Sequence, residues 1–178
     1  MRFLPTPIPG LLHIEPTPHS DARGLFSRLF CPREFAAVGI GDFAAWQISL
    51  SRNPVRHTLR GMHISAAPAG ETKLVRAVQG RAYDVAIDLR PDSPTRGRWH
   101  AIELDAAAMN AVLVPAGLAH GFLTLQPDTD ILYQISPLHA GDETLGVRWD
   151  DRALGVDWPA RPVLMSDRDA VWPDWTGS

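Results

Sequence analysis

Apolar and polar residues alternate with period two along much of the chain. Between 81 and 90, Tyr83, Val85, Ile87 and Leu89 fall on one side and Asp84, Asp88 and Arg90 on the other, which is the pattern of a half-buried strand. The segments 11–15, 25–30, 46–51, 98–104, 110–114, 121–125 and 130–136 also read as strands. Turn-forming residues separate them, at Gln79-Gly80, through 91–97, at Pro115-Ala116-Gly117 and at Gln126-Pro127-Asp128. In the first half only 32–38 predicts a helix, with Pro32 in its first turn and Gly39 past its end. From Trp149 onward the alternation stops. Trp149, Trp158, Trp172 and Trp175 stand among Asp and Pro, which predicts an irregular segment that lays its rings against the rest of the fold. Many short strands with little helix predict a mainly β sandwich or barrel, and a jelly roll is the commonest closed form at this size.

Composition narrows the function. A chain of 178 residues suits one domain spanning 1–178. With 45% hydrophobic and 21% charged residues, it has enough apolar surface for a core and is not a disordered chain. The 14 glycines and 16 prolines are spread along it, as turns between short strands require. Seventeen basic against twenty acidic residues give a net charge of −3 with no like-charge run, so neither nucleic acid nor a membrane is an expected partner. No apolar stretch reaches the roughly 20 residues of a membrane span, and the first ten residues lack the apolar region of a secretion signal. A cytoplasmic protein is expected. Cys31 is the only cysteine, so no intrachain disulfide or thiolate metal cluster can form. No glycine-rich loop opens a helix, which disfavours a Rossmann or P-loop nucleotide site.

Candidate chemistry concentrates in 57–65 (His-Thr-Leu-Arg-Gly-Met-His-Ile-Ser), followed by Lys73, His120 and Tyr133. Sixteen of the seventeen basic residues are Arg, and Lys73 is the one Lys, as if that position required a compact ammonium group. Lys73 shares a strand face with Val75 and Ala77, and a buried ammonium needs a partner or a task. Strict alternation puts Arg60 and His63 on opposite faces, but a bulge at Gly61 would re-aim one of them. Tyr133 lies between Ile131 and Ile135 on one face. Singly, each has a plain structural explanation: a satisfied core histidine, a core tyrosine, a surviving lysine. Together an imidazole, a phenol and an ammonium are the groups needed to remove a proton beside a carbonyl, hold the enolate and return a proton. A metal is disfavoured. Pro115 to His120 fits the P-x-G-x-x-H pattern of a cupin's second motif, but Gly61-Met62-His63-Ile64-Ser65 lacks the His-x-His pair of the first.

Several motifs occur in order: Arg60-Gly61-Met62-His63, Lys73-Leu74-Val75-Arg76, Tyr83 to Arg90, Pro115 to Phe122, then Tyr133. Gly146-Val147-Arg148-Trp149-Asp150-Asp151 and Gly155-Val156-Asp157-Trp158-Pro159 follow. This set resembles the dTDP-4-dehydrorhamnose 3,5-epimerase family from Pro5 to about Ala170. The resemblance implies a cupin-type jelly roll with a few short helices and a homodimer. It also implies a nucleotide-sugar substrate and a mechanism with no metal and no cofactor. It assigns the base to His63, the acid to Tyr133 and the orienting carboxylate to Asp169, with Asp167 as the alternative. Lys73 completes the catalytic set. Arg60 and His120 match positions near the phosphates and sugar. Arg23 and Phe26, with Arg28, Gln47, Ser49 and Leu138, occupy the positions of the substrate-binding shell.

That shell departs from the family. Glu is usual where Arg28 stands, and Gln, then Asp or Asn, then Asn where Gln47-Ile48-Ser49 stands. An aromatic residue is usual at Leu138, and Tyr-Gln at Ile64-Ser65. Loss of a stacking face at Leu138 is worth roughly 1 kcal/mol. The chemistry is therefore expected to persist while the nucleotide, the sugar or the number of inverted centres differs. A metal-dependent cupin and a non-catalytic sugar-nucleotide binding module are the readings from other classes.

Overall fold

Two antiparallel sheets face each other in the computed structural model, which describes residues 1–41, 43, 47–67, 70–136 and 144–177. The strands are β1 (Arg2–Pro5), β2 (Leu12–Glu15), β3 (His19–Asp21), β4 (Gly24–Phe26), β5 (Gln47–Asn53), β6 (Leu59–Ser65), β7 (Thr72–Gln79), β8 (Arg81–Asp88), β9 (Trp99–Asp105), β10 (Ala111–Val114), β11 (Leu118–Thr124), β12 (Thr129–Ser136) and β13 (Thr144–Gly146). The two short helices are α1 (Pro32–Ala37) and α2 (Asp167–Ala170). One sheet runs β1-β2-β10-β7-β12-β5 and the other β13-β6-β11-β8-β9, while β3 and β4 form a separate hairpin. This is the cupin-type jelly roll that the alternation and the resemblance predicted.

The core follows from the strand period. Val75, Ala77, Val112, Val114 and Ile131 of the first sheet meet Ala82, Ala86, Ile102, Leu104, Leu118 and Phe122 of the second. The outer face of the first sheet is covered by α1 and its neighbours, where Phe35 packs with Ile14, Leu74 and Leu113. The outer face of the second lies under the C-terminal segment, where Trp158 and Trp175 pack on Val85, Ile87 and Ala119. The irregular aromatic tail is thus a lid on the barrel.

Two strand expectations are corrected. The segment 81–90 is not half-buried, because β8 is covered on both faces. Its apolar side faces the tail tryptophans. Its polar side, which Asp84 shares with Ala82 and Ala86, looks inward, and Asp84 is 2% exposed. Burial of that carboxylate is tolerated because it is paired. The segment 25–30 is strand only as far as Phe26. Beyond it the chain turns to deliver Phe30 to the cluster around Phe35. In the segment 46–51 the strand is seen from Gln47, and residue 46 lies outside the described residues.

Candidate active site

The site forms where β6 and β11 of one sheet face β5, β7 and β12 of the other. Arg60 pairs with Phe122 and His63 with His120, so three steps along β6 match two along β11. One extra residue reverses the parity, and Arg60 and His63 come to line the same cavity. Gly61 makes the bulge possible. Its φ is +125°, and a Cβ there would lie 2.6 Å from the Cα of Gly121.

His63 Nε2 lies 2.7 Å from Asp169 Oδ1. A carboxylate only accepts, so Nε2 carries the proton and Nδ1 is left with its lone pair. Asp169 is placed by α2, whose N-cap Ser166 accepts the Asp169 N–H at 3.1 Å. Asp167, two residues earlier and exposed, makes no such contact with His63. The second oxygen of Asp169 accepts the Gly61 N–H at 3.2 Å, and Trp172 Nε1 donates to the first at 3.2 Å. Burial pushes the Asp169 carboxyl up, but the His63 hydrogen bond and charge, the Gly61 N–H and the Trp172 indole outweigh it and hold it below the ordinary value.

His120 is 4% exposed and its Nε2 lies 2.9 Å from Asp84 Oδ2. Its ring meets Tyr133 edge to face at 6.2 Å. Burial, then the Asp84 charge, push the Tyr133 phenol well above its usual value against the opposing pull of Arg60. Tyr133 therefore holds its proton at neutral pH and is a donor. Its hydroxyl makes no hydrogen bond among the described residues. Lys73 Nζ sits 3.2 Å from Glu71 Oε2, with the two side chains 13% and 5% exposed. Arg60 Nε donates to Asn53 Oδ1 at 2.8 Å, and Asn53 is anchored to the Thr129 carbonyl at 2.9 Å. That leaves the Arg60 Nη groups for an anion.

These groups surround a cavity of about 250 Å³ that also touches Gln47, Ser49 and Ser51. Gln47 Nε2 reaches Ser49 Oγ at 3.2 Å. A larger hollow, about 640 Å³, lies within the C-terminal segment between Trp149 and Pro162 and holds none of the histidines or Tyr133. The smaller cavity is the candidate site because it gathers acid, base and cations, whereas the larger one is a groove in the tail.

Of the residues singled out in the sequence, His63, Lys73, Arg60, His120, Tyr133, Gln47 and Ser49 line this cavity, and Asp169 stands behind His63. Arg23, Phe26 and Arg28 do not reach it. Arg23 is 90% exposed at its side chain and pairs with Asp21 in the β3–β4 hairpin. Phe26 is 78% exposed in the same hairpin. Arg28 Nη1 bonds Glu34 at 2.8 Å, and Glu34 also takes the N-terminal amine, so the unusual Arg has a structural partner. Leu138 lies outside the described residues. Sequence reasoning missed Asp84, Asn53, Glu71 and Trp172. Asp84 had a signal in its shared face with two alanines, and Glu71 in its two-residue spacing from Lys73. Asn53 and Trp172 had none, since their contacts are set by tertiary packing.

A family model described as dTDP-4-dehydrorhamnose 3,5-epimerase matches residues 5–176. The dTDP-4-dehydrorhamnose 3,5-epimerase of Sinorhizobium fredii is 36% identical over 174 residues, covering 97% of this chain and 89% of that one. Among solved structures, the rmlC epimerase of Mycobacterium tuberculosis superposes with a TM-score of 0.91 at 36% identity, over 98% of this chain and 88% of the other. ChmJ of Streptomyces bikiniensis, a 3'-monoepimerase solved with dTDP-quinovose, superposes with a TM-score of 0.89 at 36% identity, over 96% and 86%.

Proposed function

The chain belongs to the dTDP-4-dehydrorhamnose 3,5-epimerase family, and from that premise we propose that it inverts C3, C5 or both in a nucleotide-diphospho-4-keto-6-deoxy sugar, without a cofactor. One observation supports this most. His63, backed by Asp169 of α2, stands on one sheet and Tyr133 on the facing sheet, and His120 and Lys73 line the same cavity from the strands beside them. A ring bound there meets a base on one side and an acid on the other.

The 4-keto group acidifies the C–H bonds at C3 and C5. His63 Nδ1 takes the proton, and the C–H electron pair moves onto the carbonyl oxygen as an enolate. The imidazolium is balanced by Asp169. Lys73 is the donor for the developing oxyanion, a contribution worth about 3 kcal/mol by analogy with oxyanion donors. Tyr133 then delivers a proton to the opposite face of the carbon and the enolate electrons return to it, so the centre inverts. Arg60, fixed through Asn53, offers its remaining nitrogens to the diphosphate.

The relatives include proteins named for inversion at two centres and at one, so the number of centres is read from the product. In deuterated water, a thymidine-linked 4-keto-6-deoxy sugar should gain deuterium at C3, C5 or both. Thymidine, cytidine, guanosine and uridine versions compared side by side identify the nucleotide. No exchange with any of them would overturn the reading.

A homodimer belongs to the same proposal. Edge strand β5 turns Ile48 and Leu50 outward, and the β3–β4 hairpin presents Leu25 and Phe26, all more than half exposed in the single chain. A second copy closing over this edge would bury them and bring Arg23 toward a cavity that its own chain does not let it reach. A cytoplasmic location is part of the same proposal.

A further inference from the structure

Trp172 follows α2 and stands behind the acid–base pair rather than in the cavity. Its indole N–H donates to Asp169 Oδ1 at 3.2 Å, the oxygen that also takes the His63 Nε2–H at 2.7 Å. The ring is closely seated. Gly146 of β13 lies against it, and a Cβ there would be 2.4 Å from Trp172 Cε2. The Arg168 guanidinium lies 4.8 Å from its centroid and is itself tied to the Thr144 carbonyl. The His63 ring meets the indole edge to face at 6.2 Å.

We propose that Trp172 is a positioning residue of the His63–Asp169 pair, its indole N–H sharing one carboxylate oxygen with the imidazole and so setting both the orientation and the basicity of His63. A carboxylate oxygen has two lone-pair sites, and a second donor draws charge from the first bond. The imidazolium formed by proton abstraction is then held less tightly than by an unshared Asp, and it gives its proton back more readily. Sharing also pins the carboxylate, because Gly61 N–H fixes the other oxygen.

The charged and titratable groups around the pair are Lys73 with Glu71, Arg60, and His120 with Asp84, together with Tyr133 on the cavity side. On α2 they are Asp167 and Arg168. Trp172→Phe leaves the identity of these groups unchanged and keeps an aromatic ring at that point, but it removes the N–H together with part of the ring that Gly146 and Arg168 pack on, so the variant is read together with the wild-type titration. In the variant the unshared Asp169 should favour the imidazolium. The His63 titration, followed by nitrogen-15 NMR without substrate, should move to higher pH by about 0.5 unit. The acid limb of kcat/KM should follow, so that below the limb the rate falls about threefold. In the wild-type protein, one of the six tryptophan indole N–H signals should track the His63 titration, a reading that needs no variant. A His63 titration unmoved in a folded Trp172→Phe protein, or no indole signal that tracks it, would overturn the proposal. The inference rests on the proposed epimerase site for its kinetic arm alone. A wild-type protein without turnover but with the coupled NMR titration would defeat that reading and leave this one standing.

Discussion

At the scale of single residues, the candidate chemistry depends on which protons are held and which are shared. Asp169 is buried, yet its hydrogen bonds hold it ionised below the ordinary carboxylate value of 3.8. Its folded pKa is depressed, so the stability it contributes is complete above the unfolded value of about 3.9 and is lost as pH falls through the folded one. Thermal melts of wild type and Asp169→Asn should therefore differ most between pH 5 and 7 and converge in acid. The same variant should lower kcat by about 100-fold at neutral pH, because His63 loses the partner that fixes its tautomer and balances its charge. Much of this was legible beforehand. The lone lysine, the R-G-x-H histidine and the tyrosine between isoleucines were all visible as residue types at telling positions. Asp84 was overlooked although two alanines share its face, because alternation assigns it to a polar face and polar faces are ordinarily wet. In this barrel that face points inward, and its burial depends on a histidine 36 positions later in the chain.

At the scale of elements, one inserted residue decides the site. Without the bulge opposite β11, Arg60 would point away from His63 and leave the cavity. The sequence allowed a bulge at Gly61, but only the pairing of Phe122 and His120 shows where the extra residue sits. Gly121, directly across, is as constrained as Gly61. A Cβ there would meet Arg60 O and Met62 Sδ, both at 2.7 Å. Gly121→Ala should cost about 1–3 kcal/mol in chemical denaturation and reduce kcat more than it changes the melting of the rest of the barrel. The longer strands, β7, β8, β9 and β12, were readable because one face of each carries consistent apolar residues. The short ones, β1, β3 and β13, were not. They have three or four residues, and their state is set by the strand they pair with rather than by their own pattern.

At the scale of the whole molecule, the proposed mechanism uses the two sheets as the two sides of a reaction. Backbone pairing fixes His63 and His120 on one and Lys73 and Tyr133 on the other, and the proposal has a bound ring approached from both faces. The single chain leaves Arg23 and Phe26 outside this arrangement, and assembly is the proposed remedy. Phe26→Asp should convert a dimer into a monomer in light scattering and weaken substrate binding while sparing the fold. A variant that stays dimeric with unchanged KM would remove that part of the account. The central claim, acid and base on opposite faces, is tested most directly by Tyr133→Phe with the keto-sugar nucleotide in deuterated water. The account predicts recovered substrate that carries deuterium at the base-facing carbon with its configuration unchanged. Inverted product formed at close to the wild-type rate would contradict it.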